Sequence, residues 1–191
     1  DFDTTLWGAA LTNLAGSMAN CFYDCGKNNL GPAPNLTNWY VNNVTNFSSC
    51  FYNAAFTTSL DISTWNFSSA TNMTQFFRNT GGLTSATFNN ISSACTNLGS
   101  KFRDADDITT VVYNANCDLS GVTSFTHYAY SANNLATQTF DASVSFASVT
   151  TFLNAWTLTS LNTTSYDQIL IRSEATNSNT IVGAFGANNT K

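Results

Sequence analysis

Residues 60–77 read LDISTWNFSSATNMTQFF, and this stretch contains the features that the rest of the chain repeats. It begins with alternating apolar and polar residues, the pattern of a strand with one buried side. A Trp and a Ser-rich segment follow, and apolar residues then stand at Ala70, Met73 and Phe77, the spacing of one helical face. Ser69 is placed where its hydroxyl can cap that helix. The stretch therefore predicts a unit of strand, turn and short helix.

The same unit recurs along the chain. Its marker is a polar pair followed by an apolar residue, with a second apolar residue four positions later. The copies begin at Thr12, Thr45, Thr71, Thr96, Thr123 and Thr150. A persistent period of this kind is typical of a solenoid, in which each unit buries its apolar side against its neighbours. The predicted fold class is therefore an α/β solenoid of about six strand-turn-short-helix repeats.

A length of 191 residues favours a single repeat domain. We divide it into an N-terminal repeat and loop at 1–34, regular repeats at 35–160 and a C-terminal capping unit at 161–191. The capping unit contains a longer helical pattern at 164–175 and a short apolar strand pattern at 180–185. The interval between the first two copies is longer than the others. The additional residues of this interval and both prolines lie in 21–35. We therefore predict that this segment is a loop that either binds a partner or covers the end of the stack.

The strand segments recur in a constant register, which predicts columns of stacked side chains. The inward columns are Leu60, Ala86 and Val112; Ile62, Phe88 and Phe140; and Trp39, Trp65, Ile91 and Cys117. The residues that alternate with them form one outward row, which is the candidate recognition face: Asn35, Asp61, Thr87, Tyr113 and Thr139. Asn114 takes an inward position, so either the register shifts there or its amide is hydrogen-bonded inside.

The composition excludes several classes of protein. Six Lys and Arg against eleven Asp and Glu give a net charge of −5, so nucleic acid is not an expected partner. Hydrophobic residues make up 43% of the chain, which excludes a disordered polar tract. No apolar run approaches the roughly 20 residues that span a bilayer, so membrane insertion is not expected. Five cysteines leave at least one unpaired if all pairing is internal, and we expect mostly small buried thiols.

The residues that carry chemistry are sparse, which predicts that the protein is not an enzyme. His127 is the single His and has no Asp or Glu close in sequence. The group Asp104, Asp106 and Asp107 lacks the glycine and distal Glu of an EF-hand, so a solvated turn is favoured over a calcium site. No cofactor and no metal are expected. The recurring amides of Asn13, Asn46, Asn72 and Asn97 are interpreted as structural groups that hydrogen-bond turn backbone.

The run quoted above, with the related NLTNWYVNNVTNFSSCFYN at 35–53, resembles the BspA-like leucine-rich repeats of bacterial surface proteins. These include the repeat of about 25 residues in mycoplasma surface lipoproteins and in some bacteriophage proteins. The resemblance covers residues 35–190 and is strongest over 35–80. It implies a leucine-rich-repeat-like stack on a cell or particle surface that serves adhesion or attachment, and it implies no catalytic residue.

The sequence therefore favours a non-catalytic, surface-exposed recognition or adhesion module that mediates attachment to a host or cell surface. Its expected partner is a host-surface protein or glycan, and its expected location is extracellular, on a cell surface or on a virion surface. The alternative is a structural virion component, such as a decoration or fibre segment, or an extracellular filament subunit. Its partners would then be other subunits of the same particle, including copies of itself. The two hypotheses differ in whether the candidate recognition face is free or buried between subunits.

Overall fold

A computed structural model describes residues 14–27 and 31–179 of the chain. Its elements are β1 (Ala15–Ser17), β2 (Asn43–Asn46), β3 (Ser85–Phe88), β4 (Thr110–Tyr113), β5 (Thr137–Phe140) and α1 (Thr163–Thr176). Strands β1 and β2 form a two-stranded parallel sheet, and β3, β4 and β5 form a three-stranded parallel sheet in that order. The helix packs against β5, at the end of the three-stranded sheet.

The predicted α/β solenoid, a leucine-rich-repeat-like stack of about six strand-turn-short-helix repeats, is wrong. The structure consists of two small parallel sheets, and within the described ranges its one α-helix follows the repeats instead of recurring in each. The segment predicted as a helix at 70–77 instead has a parallel bridge at Asn72 and turns from Thr74 onward, and the segment 60–63 is not a strand.

The backbone hydrogen bonds explain why the repeats form turns instead of helices. The N–H groups of Phe47 and Ser49 donate to carbonyls of the next copy, those of Asn72 and Thr74, at 2.8 and 2.9 Å. The N–H of Cys50 instead donates three residues back, to the carbonyl of Phe47. This alternation leaves few donors for the i to i−4 bonds of an α-helix.

Residues in the left-handed backbone conformation also prevent the repeats from forming helices. Each copy has two non-glycine residues with positive φ, spaced four apart: Asn20 and Asp24, Ser49 and Asn53, Gln75 and Asn79, Ser100 and Asp104, His127 and Ser131, Asn154 and Leu158. A residue in this region breaks a right-handed helix, and Asn and Asp tolerate it better than most residues. The apolar spacing of four positions is therefore the period of these turns and not of a helical face.

Hydrogen bonds from backbone N–H groups to nearby side-chain oxygens explain why 60–63 is not a strand. The Asp61 carboxylate accepts a hydrogen bond from the Ser63 N–H at 2.8 Å, which closes a local turn. The amide oxygen of Asn35 accepts from the Thr37 N–H in the same way, at 3.2 Å. β3 and β5 have Thr87 and Thr139 at the corresponding position, and β-branched residues there suit a strand.

The register between β3 and β4 differs from the expected one by a single position. Phe88 pairs with Tyr113 instead of Asn114, and Tyr113 pairs with Phe140. Such a shift exchanges the two sides of a strand, so Tyr113 points inward and Val112, predicted inward, does not. The Asn114 side chain is half-buried and donates to the Asn89 side chain at 2.6 Å, so the register shifts and the amide is also bonded.

The other inward columns are confirmed, since Ile62, Phe88 and Phe140 are buried, as are Trp39, Trp65, Ile91 and Cys117. Aromatic rings fill the core around Trp65, whose ring centre lies 6.0 Å from that of Phe51 and 6.1 Å from that of Phe47. All five cysteines are free thiols; Cys50, Cys95 and Cys117 are buried, Cys25 is half-buried and Cys21 is exposed.

The C-terminal helix predicted at 164–175 is confirmed as α1. Asn162 caps it, because its side chain accepts from the Ser165 N–H at 2.8 Å, and Ile169 is buried. The strand predicted at 180–185 lies outside the described residues. Within those residues, no helix has the length and apolar character needed to cross a bilayer.

Candidate functional site

The structure brings together two residues of the candidate recognition face. Asp61 and Thr87 line one depression of about 270 Å³, together with Ser59, Ser63 and Ser85 among others. Asn35 is exposed, and Thr139 is half-buried in β5; neither lines this depression. The placement of Tyr113 in the outward row is wrong, because its side chain is fully buried between the rings of Phe88 and Phe140.

A second depression of about 520 Å³ adjoins the first. It is lined by Thr37, Trp39, Tyr40, Val41, Asn42, Thr64 and Asn66. The two depressions are neighbours because Ser63 lines one and Thr64 lines the other. Tyr40 is 59% exposed, which is high for a large aromatic side chain. We name the two depressions together the groove face.

Hydrogen bonds hold the groove face in place. The Thr64 hydroxyl donates to the carbonyl of Thr37 at 2.8 Å, and the buried indole N–H of Trp65 donates to the carbonyl of Leu36 at 3.0 Å. Both bonds join residues of successive copies. The polar groups of the groove face are therefore positioned before any ligand arrives, which reduces the entropy lost on binding.

The core contains a buried lysine that sequence reasoning missed. The Lys101 side chain is fully buried, and its Nζ lies 3.2 Å from the Tyr113 hydroxyl and 3.4 Å from the centre of the Phe88 ring. Within the described ranges it makes no ion pair with a carboxylate. Burial lowers the pKa of Lys101 from 10.5 to about 7.

The hydrogen-bond chain from Lys101 continues through the core. The Tyr113 and Tyr128 hydroxyls lie 2.8 Å apart, and the Tyr128 hydroxyl donates to the Gln138 side chain at 3.4 Å. The Gln138 amide in turn donates to the Val111 carbonyl. Because every member has a partner and is closed off from solvent, this chain organises the core and has no access to a substrate.

A second exposed feature is a column of planar side chains on the turns. Its members are Tyr23, Tyr52, Arg78, Arg103 and Tyr130, and we name it the planar column. The rings of Tyr23 and Tyr52 stack at 4.9 Å, and the Arg78 guanidinium lies 5.2 Å from the centre of the Tyr52 ring. At the other end the Arg103 guanidinium lies 5.3 Å from the Tyr130 ring. Both distances fit cation–π contacts.

Charge is unevenly placed around this column. Asp104 Oδ2 lies 3.8 Å from Nε of Arg78 and 3.3 Å from Nε of Arg103, so two guanidinium groups share one carboxylate. His127 contacts Tyr130 edge-on, and burial together with the positive charges of Arg103 and Arg78 lowers the pKa of this imidazole. The column therefore has an excess of positive charge on a chain whose net charge is −5.

The three aspartates weighed as a calcium site have separate structural partners. Asp104 pairs with the two arginines, Asp106 accepts from the backbone and side chain of Asn133, and Asp107 accepts from the Gly82 N–H at 2.7 Å. Over residues 14–27 and 31–179, no group of three or more His, Cys, Asp or Glu side chains is arranged to hold a metal.

The recurring amides have the structural role that their spacing predicts. The side-chain oxygens of Asn46, Asn72 and Asn97 each accept from the backbone N–H two residues later, at 3.0, 3.0 and 2.7 Å. Asn13 lies outside the described residues. Sequence reasoning missed the planar column. The sequence does contain a pattern that marks it, because the last four members of the column each directly follow the second apolar residue of a repeat.

These observations define a protein built from hydrogen-bonded copies of one sequence unit, with an aromatic core and two exposed polar faces. The chain belongs to the family described as "Mycoplasma protein of unknown function, DUF285", whose model matches residues 16–142. Searches of curated proteins and of solved structures found no match.

Proposed function

We propose that this protein is a non-catalytic recognition module that attaches its parent cell or particle to a protein or glycan of a host surface. The groove face is the proposed contact surface. The proposal places the module on the outside of the cell or particle, where this face meets its partner.

The observation that carries the proposal is the pair of adjoining depressions with an exposed tyrosine at one and an exposed carboxylate at the other. Ligand sites are concave and combine an apolar surface with a few placed polar groups. Tyr40 supplies a ring with a polar tip, a combination suited to stacking on a sugar or a peptide. Thr64 and Asn66 supply hydroxyl and amide groups in the same depression, and Asp61 supplies a carboxylate in the other.

Membership of the mycoplasma family and the sequence resemblance support an outer-surface role. We propose further that the repeats are related to those of BspA-like surface proteins, on the basis of the resemblance over residues 35–80. The low share of charged residues, 9%, suits recognition by hydrogen bonds and ring contacts more than by strong fields.

The test is binding of the labelled chain to a glycan array and to cultured animal cells. Tyr40→Ala and Asp61→Asn are each expected to lower binding by at least about tenfold, the effect of losing one well-placed contact. Asp118→Asn is the matched control, because Asp118 accepts from the Ser120 N–H at 2.9 Å in the same local turn as Asp61 but lies outside the groove face.

Binding that is equal for the parent chain, Tyr40→Ala and Asp61→Asn would refute the groove face as the contact surface. Failure to bind any glycan or cell, together with self-association in sedimentation experiments that shields Tyr40, would favour the structural alternative.

A further inference from the structure

Two arginines lie side by side at the centre of the planar column. Arg78 and Arg103 are neighbours in successive copies, because the Asn79 N–H donates to the Arg103 carbonyl at 2.8 Å. The Nε atoms of both arginines are enclosed and make no hydrogen bond within the described parts of the chain. Their shared carboxylate, on Asp104, lies 3.8 and 3.3 Å away, whereas a charge-assisted hydrogen bond is usually about 2.7–2.9 Å long.

Two like charges held side by side attract an anion. One carboxylate neutralises only one of the two guanidinium groups, so this part of the surface keeps one net positive charge. Both side chains remain partly exposed, at 23% for Arg78 and 31% for Arg103, and because their Nε atoms are enclosed, a ligand would meet the outer part of each side chain. The guanidinium fork matches a carboxylate in a bidentate geometry.

The groups around the arginines favour a sugar as the bearer of that carboxylate. Tyr52 and Tyr130 flank the pair, and each presents a half-buried ring beside a guanidinium. A row of amides runs alongside, in which the Asn79 side chain donates to the Asn53 side chain at 2.6 Å. Rings and amides together suit the faces and hydroxyls of a saccharide. A nucleic acid is disfavoured, because a chain of net charge −5 with a single arginine pair repels an extended polyanion.

We propose that Arg78 and Arg103, flanked by Tyr52 and Tyr130, form a binding site for a carboxylate-bearing sugar. The site is separate from the groove face, and its biological use rests on the proposed recognition function. Its binding chemistry can be measured independently of that function.

The experiment measures binding of the full chain to a hexuronic-acid tetrasaccharide by titration calorimetry, with an uncharged glucose tetrasaccharide as the comparison probe. The acidic probe is expected to bind at least about tenfold more tightly than the neutral one. Arg78→Gln and Arg103→Gln are each expected to remove at least about tenfold of that affinity. Lys27→Gln is the control that removes the same charge, because Lys27 is exposed and lies outside the arginine pair.

A second variant keeps the inference falsifiable if the arginine variants fold poorly. Asp104→Asn removes the internal carboxylate that competes for both arginines, and it suits the backbone there, because Asp104 has a φ of 59° and Asn tolerates that conformation. This variant is expected to bind the acidic probe severalfold more tightly. Unchanged or weaker binding by Asp104→Asn would overturn the inference.

Equal binding of the acidic and neutral probes would also overturn the inference. So would a sulfated glucose tetrasaccharide that binds as tightly as the hexuronic-acid tetrasaccharide, because the site would then not select a carboxylate. The two proposals fail separately. Loss of cell binding in Tyr40→Ala tests the groove face alone, whereas the arginine variants and the acidic probe test the planar column alone.

Discussion

Replacement of the buried Lys101 by Met should stabilise the protein and remove a pH dependence. In the folded chain the Lys101 amine has a pKa of about 7, against 10.5 ordinarily. Between these values the unfolded chain binds one more proton than the folded chain, so the free energy of unfolding rises with pH by about 1.4 kcal/mol per unit. Below about pH 7 the amine is charged in both states and the full penalty, about 5 kcal/mol, is present.

The window from about pH 7 to about pH 8 isolates this effect, and across it the parent chain should gain about 1 kcal/mol. The pKa of His127 is lowered from 6.5, so this group titrates below the window. Burial raises the pKa values of the core thiols and phenols, so their opposite effect follows their ordinary pKa values of 9.0 and 10.0 in the unfolded chain and grows only above the window.

The assay is urea unfolding followed by Trp fluorescence, at about pH 6 and at several pH values in this window. Lys101→Met should show a flat profile and should be more stable than the parent by several kcal/mol at about pH 6, with about 5 kcal/mol as the upper bound. Lys27→Met is the control, because Lys27 is exposed and should leave the slope unchanged. A parent profile without a slope, or a slope that persists in Lys101→Met, would refute the assignment of this pKa shift to the buried amine.

Two further predictions concern packing. Phe77→Ala and Trp65→Ala should each lower the free energy of unfolding by roughly 3–5 kcal/mol, because both side chains are fully buried; unchanged thermal unfolding would contradict their place in the core. Gly82→Ala should be more destabilising than Gly16→Ala in urea titrations. Both glycines have a φ of 79°, but a Cβ on Gly82 would lie 2.4 Å from the Phe56 carbonyl oxygen, whereas one on Gly16 would meet nothing within 4 Å. Equal losses would show that backbone strain alone decides the effect.

Much of the core could be read from the order of apolar residues. Alternation predicts that Leu60 and Ile62 are buried, and the structure buries both although the segment is not a strand. The C-terminal helix was also predictable to within a residue at each end, because its pattern is long enough to exclude other structures. The recurring amides showed their role in turns through spacing alone.

The short helices were mispredicted because apolar residues spaced four apart do not distinguish a helix from a turn that repeats with the same spacing. The distinction lies in the backbone partners: the Phe51 N–H bonds to the Phe76 carbonyl in the next copy, a contact between residues far apart in sequence. Several of the left-handed positions, such as Gln75 and Leu158, have side chains with little preference for that conformation, so no local signal marks them.

For the candidate sites too, some features follow from the sequence and others only from the tertiary structure. The sequence by itself determined the period of the unit, the aromatic core and the scarcity of chemically active groups, since these depend on residue type and spacing. Only the tertiary structure decided which residues face solvent together. The pairing of Phe88 with Tyr113 between β3 and β4 turned Tyr113 inward to Lys101, and stacking of the turns aligned Arg78 with Arg103. Both results depend on how successive copies pair, because a shift of a single position reverses the side on which a side chain lies.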